Sequence, residues 1–363
     1  MPFDVREFPG VIPDEKAAGW RNRRRVAVWL FGVAAMIWVM ILLGGATRLT
    51  GSGLSIMEWA PFRGILPPLS QPEWQRLFVL YREIPQFALT NSDIGLEGFK
   101  RIFWLEYIHR LWGRLIGFAF LLPLLVFWAQ GRIERRLRPR LVLLFVLGGL
   151  QGAIGWFMVA SGFLPDATSV SPYRLVAHLG MALLLYAALI WTGLGVLAPH
   201  VRGIPAATPR TLRVLVPLVC AAVPLTMLAG GFVAGLHAGL DYNTFPLMDG
   251  RLIPDGYAKL SPWLRNLTEN VAAVQFDHRL LATVTLLLAA AAAALGLAGP
   301  APAGKRIAFL ALGAGVGMQY ALGVATLLYG VPLALAIAHQ AAAVLVLTAA
   351  LVCLHGLRAV RPG

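Results

Sequence analysis

Long apolar runs separated by polar segments dominate this chain. Eight of the runs contain about 20 residues each, the length of an α-helix that crosses a hydrocarbon core of about 30 Å. They lie at 26–46, 104–128, 141–161, 174–198, 214–236, 276–298, 307–328 and 332–356. The pattern predicts an all-α integral membrane protein with eight transmembrane helices.

Two of the polar segments, 47–103 and 237–275, are long and rich in Trp, Pro and Gly. In the first, Ser70 and Glu73 have capping-box spacing and apolar residues follow at helical intervals, which predicts an amphipathic helix on the membrane surface. In the second, Ser261 and the proline after it are expected to start another helix. Both segments fit either a cover over the bundle or a role in admitting a ligand.

The composition excludes a soluble globular domain. Hydrophobic residues make up 58% of the 363 residues and charged residues 13%, and the mean hydropathy is +0.71. The net charge of +14 could indicate nucleic-acid binding, but the basic residues cluster at alternate ends of the predicted spans, as the positive-inside rule requires. We therefore expect no nucleic-acid partner and place both termini in the cytoplasm.

The residues before the first apolar run indicate the compartment. This tail carries Asp4, Glu7, Asp14 and Glu15, and the run that follows is long enough to remain as an anchor. These features differ from those of a cleavable signal peptide, and the acids also argue against a mitochondrial transit peptide. We expect a multi-pass protein of the bacterial inner membrane, surrounded by the lipid bilayer.

Several short motifs occur twice, in the same order, in the two halves of the chain. The repeated elements are Gly44-Gly45 and Gly230-Gly231, Gln151 to Gly155 and Gln319 to Gly323, His109-Arg110 and His278-Arg279, and Ala177-His178 and Ala338-His339. Such duplication is typical of membrane proteins built from internal repeats. Small residues in these motifs also have a purely structural explanation, because they let helices pack closely.

The repeat divides the eight spans into two four-helix bundles. The predicted organisation is a cytoplasmic tail at 1–25, an N-terminal half at 26–198, a cytoplasmic linker at 199–213, a C-terminal half at 214–356 and a cytoplasmic tail at 357–363. An even number of spans per half means that both halves insert in the same direction. The halves are therefore expected to be parallel repeats, related by an axis along the membrane normal.

A histidine lies near the outer end of each even-numbered span: His109, His178, His278 and His339. A histidine inside a membrane is costly and usually faces the bundle interior with a partner. Two imidazoles on facing helices can take both axial positions of a haem iron, so the set predicts two bis-histidine haem sites. Buried, hydrogen-bonded histidines that bind no iron are the alternative.

Pairing of the histidines within each half is the simplest arrangement, although the sequence leaves exchanged pairing open. A zinc site is less favoured, because no Cys, Asp or Glu adds a third ligand at a recognisable spacing. His200, His237 and His355 lack the repeat relation and are expected not to be ligands.

Arginines lie at the same predicted depth as the histidines. Among them, Arg48, Arg110 and Arg279 are candidates to bind haem propionates, because a guanidinium can bind a carboxylate through two hydrogen bonds. Anchoring at the membrane interface explains some of these arginines equally well.

The two halves differ at one chemically important position. Glu106 precedes His109 by three residues, whereas Gln275 holds the equivalent place before His278. A buried carboxylate can move a proton or stabilise positive charge, which suits a site where a bound molecule is transformed. The structural alternative is that Glu106 forms an ion pair with Arg110 or caps the start of the helix.

Several motifs resemble the haem A synthase family, and the resemblance covers residues from about 26 to 356. The motifs are the segment 44–55 with the sequence GGATRLTGSGLS, Glu106-x-x-His109-Arg110, Asn243-Thr244-Phe245-Pro246-Leu247-Met248 and His278-Arg279. They occur in the family's order, which makes the resemblance specific.

The resemblance implies a reaction that no periodicity could indicate. In this family the C8 methyl group of haem O is oxidised by successive hydroxylations to the formyl group of haem A, the cofactor of cytochrome oxidase. By the same resemblance, His278 and His339 are expected to ligate a resident haem b, and His109 and His178 to flank the haem O substrate. Glu106 is expected to be the catalytically important acid.

The implied partners are haem O as substrate, an electron donor that the sequence does not identify, and the enzyme that makes haem O. Association into a homo-oligomer is left open. The main rival hypothesis is a dihaem b electron-transfer cytochrome that performs no chemistry on haem. A transporter built from parallel repeats is a weaker rival, since it should have polar or broken helices at the membrane midplane, whereas the polar residues lie towards the outer end.

Overall fold

The computed structural model describes residues 14–58, 63–198, 201–202, 208–299 and 303–360 of the chain. Residues 199–200 and 203–207 of the linker predicted at 199–213, residues 1–13 of the tail at 1–25 and residues 361–363 of the tail at 357–363 lie outside these ranges. His200 lies outside them as well.

Eight helices among the described residues are long and apolar enough to span a membrane, which confirms the eight predicted spans. Three shorter helices, α2, α3 and α8, accompany them. The helices are α1 (Asp14–Leu49), α2 (Gln71–Arg82), α3 (Pro85–Thr90), α4 (Leu96–Ala129), α5 (Arg138–Ala160), α6 (Pro172–Leu197), α7 (Arg210–Gly235), α8 (Asn266–Glu269), α9 (Val271–Ala298), α10 (Ala303–Leu328) and α11 (Leu333–Gly356).

The spanning helices pack as two rings of four. In the N-terminal ring, α1 and α5 each contact both α4 and α6; in the C-terminal ring, α7 and α10 each contact both α9 and α11. Helices α4 and α6 therefore lie diagonally across one ring, as α9 and α11 do across the other. This diagonal arrangement places the four histidine-bearing helices in two facing pairs.

The two rings share one continuous apolar core. Between them α6 packs on α7, α1 on α11, and α6 on α11. The Gln340 side chain donates to the Ile41 carbonyl at 3.1 Å, and the hydroxyls of Tyr186 and Thr348 lie 2.6 Å apart. These polar contacts between apolar helices fix how the rings meet.

Helix α4 begins at Leu96, well before the start at residue 104 that hydropathy predicted. Its first turns carry buried Phe99 and Phe103, whose rings lie 6.4 Å and 4.9 Å from that of Trp74 on α2. These turns are amphipathic and pack on the polar segment 47–103, so an average over apolar residues misses them. The alternative that Glu106 caps the start of the helix is wrong, because the start lies about three turns earlier.

The amphipathic helix predicted after Ser70 is confirmed as α2. The Ser70 hydroxyl accepts a hydrogen bond from the Glu73 amide at 3.4 Å, as an N-cap does. The polar segment 237–275 is less regular than expected, because a 3₁₀ turn (Trp263–Arg265) and the four-residue α8 follow Ser261 directly before α9.

At the opposite end of the bundle, the linker meets the C-terminus. Strand β1 (Val201–Arg202) pairs antiparallel with β2 (Ala359–Val360). Arg23 donates to Glu134 at 2.9 Å and joins α1 to the segment between α4 and α5.

Candidate functional site

Each of the four predicted histidines lies against a glycine of a neighbouring helix. A Cβ atom added to that glycine would lie 3.3 Å from His109 Nε2 for Gly44, 2.8 Å from His178 Cε1 for Gly155, 2.9 Å from His278 Cε1 for Gly230 and 2.8 Å from His339 Cε1 for Gly323. Three of these distances are too short for a real Cβ atom. The glycines therefore let the imidazoles approach the helix backbone and fix the positions of the rings.

The structure brings the histidines together within each half. His109 on α4 and His178 on α6 are close enough to interact electrostatically, and so are His278 on α9 and His339 on α11. Their helices lie diagonally across the two rings. Each half thus has two imidazoles facing its interior from opposite helices, the arrangement that two axial ligands of one iron need.

The hydrogen bond of the His278 ring fits iron ligation. His278 Nδ1 lies 3.1 Å from the Thr226 carbonyl, so its N–H donates there and Nε2 is left for a metal. The Gln151 amide donates to the His178 carbonyl at 3.1 Å. His178 Nδ1 and the Gln151 Oε1 atom are buried without a hydrogen-bond partner among the described residues, as is the Oε1 atom of Gln319. A buried polar atom without a partner is unfavourable, which indicates that a bound group completes the site.

The donor set fits haem better than a bare metal ion. Among the described residues, no three His, Cys, Asp or Glu side chains group closely enough to hold an ion. A haem needs only two axial ligands from the protein because the porphyrin supplies the other four.

Glu106 is buried, 2% exposed, and both of its oxygens are engaged. Oε2 accepts from the Ser55 hydroxyl at 2.7 Å and the Ile56 amide at 2.9 Å. Oε1 accepts from Arg110 Nη2 at 2.6 Å and Nε at 3.0 Å. The ion pair considered as the structural alternative is therefore present, and the carboxylate also holds the loop that follows α1.

Gln275 occupies the corresponding place in the C-terminal half, also 2% exposed, but the polarity of its surroundings is reversed. Its Nε2 donates to the carbonyls of Ala238 and Asp241 at 2.7 Å and 2.6 Å, while its Oε1 accepts from Arg279 at 2.9 Å. The N-terminal loop presents donors to a carboxylate, and the C-terminal loop presents acceptors to an amide. Each loop therefore presents the hydrogen-bonding groups that match its own side chain, a carboxylate in the N-terminal half and an amide in the C-terminal half.

The three predicted arginines lie beside the sites and are held by backbone carbonyls. Arg110 donates to the Ile56 and Glu58 carbonyls at 2.7 Å and 3.3 Å, and Arg279 donates to the Tyr242 and Thr244 carbonyls at 2.6 Å and 2.8 Å. Both guanidinium groups therefore fasten a loop onto the helix that bears a site histidine.

Arg48 reaches from the end of α1 to the other half. It donates to the Ala234 carbonyl at 2.9 Å and lies 3.4 Å from His237 Nδ1. Burial and this guanidinium lower the pKa of His237. His237 has a left-handed backbone, with φ of 55°, and its ring contacts Arg48 at the junction of the two halves.

Sequence reasoning missed the groups that hold the predicted residues. In the sequence Ser55 is only the last residue of a motif, and the Ile56 amide and Thr226 carbonyl are backbone groups that leave no mark in a sequence. The glycines that contact the histidines were visible as repeated motifs, so their recurrence could have identified them as contact positions.

Comparisons of the amino-acid sequence with known proteins identify the family of this chain. A family model described as cytochrome oxidase assembly protein matches residues 27–351. The chain is 60% identical over 340 residues to the heme A synthase of Granulibacter bethesdensis, covering 93% of this chain and 88% of that protein. It is also similar to the heme A synthases of Nitrosospira multiformis, at 46% identity over 96% of this chain and 97% of that protein, and Methylobacterium radiotolerans, at 47% over 93% and 92%.

Proposed function

Since this chain belongs to the haem A synthase family of cytochrome oxidase assembly proteins, we propose that it oxidises the C8 methyl group of haem O, by successive hydroxylations, to the formyl group of haem A. The family membership indicated by the motifs is confirmed. The observation that carries the proposal for this chain is the pairing of two similar histidine sites of which only one has a buried carboxylate.

In the C-terminal half, His278 and His339 would hold a resident haem b. The Thr226 carbonyl fixes the His278 ring so that Nε2 faces the site. Gln275 and Arg279 hold the outer loop without placing a carboxylate beside the haem. A haem with two histidine ligands transfers single electrons, and this half would supply them to the other.

In the N-terminal half, His109 and His178 would flank the substrate haem O. Glu106 lies one helical turn before His109 and would be the catalytically important carboxyl group. Its contacts with Ser55 and Arg110 support a fixed position for the carboxylate, and a fixed charge needs no reorganisation when positive charge develops on the substrate. Arg48, Arg110 and Arg279 would provide the positive charge at the level of the haem propionates.

For the architecture, we propose that the two halves are parallel repeats with both termini in the cytoplasm. The matching ring order of the helices and the four matching glycine–histidine contacts support the repeat. The described chain is a multi-pass membrane protein by helix length and composition, and the bacterial inner membrane is its proposed location. The enzyme that makes haem O and a separate electron donor are the proposed partners.

The proposal is tested by extracting and identifying the haems of the protein purified from cells that also make haem O. We expect haem b together with haem O, haem A or a hydroxylated intermediate. Haem b alone, in cells with abundant haem O, would favour the dihaem electron carrier. One observation of the structure favours this rival: Glu106 holds a loop through its contacts, and this structural role needs no catalysis.

Two variants separate the roles of the halves. Glu106→Ala should keep the resident haem and abolish formation of haem A, whereas His278→Ala should remove the low-spin resident haem. If Glu106→Ala instead lost the bound haem while the remaining protein still made product, the assignment of the halves would be wrong.

A further inference from the structure

The two rings differ most at one seam between helices. In the C-terminal ring, α9 and α10 pack closely, whereas the corresponding helices of the N-terminal ring, α4 and α5, touch at few positions. Of the eight described spanning helices, α4 and α5 are also the two least buried. The N-terminal ring is therefore open on the side where the C-terminal ring is closed.

Particular side chains close the C-terminal seam. The Tyr320 hydroxyl on α10 lies 2.9 Å from the Thr283 hydroxyl on α9. The Tyr320 ring also packs edge-on against Phe245 of the outer loop, with centroids 6.2 Å apart. One turn earlier on α10, Val316 is 4% exposed and belongs to the apolar core.

The repeated motifs align these positions with smaller residues in the N-terminal half. Aligning Gln151 with Gln319 puts Gly152 in the place of Tyr320 and Gly148 in the place of Val316. A Cβ atom added to either glycine would meet no heavy atom within 4 Å. Gly152 and Gly148 therefore supply neither the side-chain bulk of Tyr320 and Val316 nor the hydroxyl that Tyr320 brings to the other seam.

This gap lies at the level of the N-terminal site. Gly152 is three residues from Gly155, which contacts His178, so the seam opens within about one helical turn of the predicted ligand. Beside Gly152, the buried Oε1 atom of Gln151 has no partner among the described residues. A weakly packed seam about one helical turn from a histidine contact, and next to a buried acceptor without a partner among the described residues, fits a ligand with a long apolar part and a polar head.

The substrate of the proposed function has this chemistry. Haem O differs from haem b in carrying a long isoprenoid chain with a hydroxyl group at its base. A resident haem must be retained, but a substrate and its product must pass in and out of their site. The bilayer itself can dissolve the isoprenoid chain, so a lateral path exposes no apolar surface to water.

We propose that haem O enters, and haem A leaves, sideways from the bilayer through the seam between α4 and α5, with the isoprenoid chain lying along Gly148 and Gly152. The tight seam between α9 and α10 retains the haem of the other half. This inference rests on the proposed function, since it takes haem O as the substrate.

The first test closes the seam. Gly152→Tyr introduces the residue found at the matching position of α10, and Gly317→Tyr is the matched control, because it adds the same side chain to α10 at a glycine that also has open space beside it. We expect Gly152→Tyr to lower haem O plus haem A per haem b by about tenfold or more, as a filled passage would. Haem b per protein should be unchanged in both variants, which shows that the fold is intact.

The second test uses the unaltered protein, so misfolding cannot obscure it. A haem O analogue with a photoreactive group at the end of the isoprenoid chain is incorporated and irradiated, and the labelled peptides are identified. Adducts on α5 around residues 148–152, or on α4, support the proposal. Adducts confined to α1 or α6 would overturn it.

The outcomes separate this inference from the proposed function. If the unaltered protein makes no haem A, the function itself fails. If it makes haem A while Gly152→Tyr keeps the haem content and turnover of Gly317→Tyr, the function stands and the lateral path is wrong.

Discussion

Replacing the buried carboxylate by its amide is the sharpest test of how the N-terminal site is built. Glu106→Gln keeps the shape of the side chain but turns one acceptor oxygen into a donor. The orientation that Gln275 adopts towards Arg279 would point the new amide nitrogen at Ser55 and Ile56. The serine hydroxyl can rotate to accept, but the Ile56 amide, now 2.9 Å from an acceptor, would face another donor.

The magnitude follows from these contacts. A buried amide without a partner costs about 1–3 kcal/mol, and exchanging a charged acceptor for a neutral one towards Arg110 costs about 1 kcal/mol more. The substitution should therefore destabilise the loop by about 2–4 kcal/mol. If the loop opens locally, hydrogen exchange at the Ile56 amide should become faster by about 30-fold to 1,000-fold.

The assay is hydrogen exchange of the peptide around residue 56, together with haem A formation by the same samples. Ser55→Ala is the matched control, because it removes one neutral hydrogen bond and leaves the carboxylate in place. If catalysis needs the charge, Glu106→Gln loses turnover and Ser55→Ala keeps most of it. Unchanged exchange at Ile56 in Glu106→Gln would refute the claim that this carboxylate holds the loop.

Three further predictions address the contacts around the sites. Gly323→Ala places a methyl group 2.8 Å from His339, at a cost of about 1–3 kcal/mol. Haem extraction should then show a haem b content lowered about tenfold and haem O binding intact, whereas equal loss of both haems would contradict the separation of the sites. Burial and the nearby guanidinium lower the pKa of His237, so its protonation favours unfolding as the pH falls below about 6.5. His237→Asn should therefore make the melting temperature fall less steeply with pH in that range, and identical pH profiles of the melting temperature in the two proteins would refute this. The methyl group of Gly45→Ala meets the end of the Gln340 side chain and breaks its hydrogen bond to α1, at a loss of about 1 kcal/mol. The melting temperature should fall by a few degrees while both haems remain, and an unchanged melting temperature would show that this hydrogen bond adds nothing to stability.

The sequence by itself determined the eight spans, because about 20 consecutive apolar residues have one stable state in a bilayer. It also located the four histidines and the contrast between Glu106 and Gln275, since each recurs at a fixed place in a repeated motif. Hydropathy failed at the start of α4, where amphipathic turns pack on Trp74 outside the apolar stretch.

Only the tertiary structure decided which side chains meet. The diagonal placement of α4 opposite α6 brings His109 near His178, whereas the sequence left exchanged pairing open. The donors around Glu106 include a backbone amide, and the open seam beside Gly152 exists only because α5 stands apart from α4. Apolar length is a local property that a chain carries in its order of residues, but pairing, loop polarity and gaps between helices arise from contacts between residues far apart in the sequence.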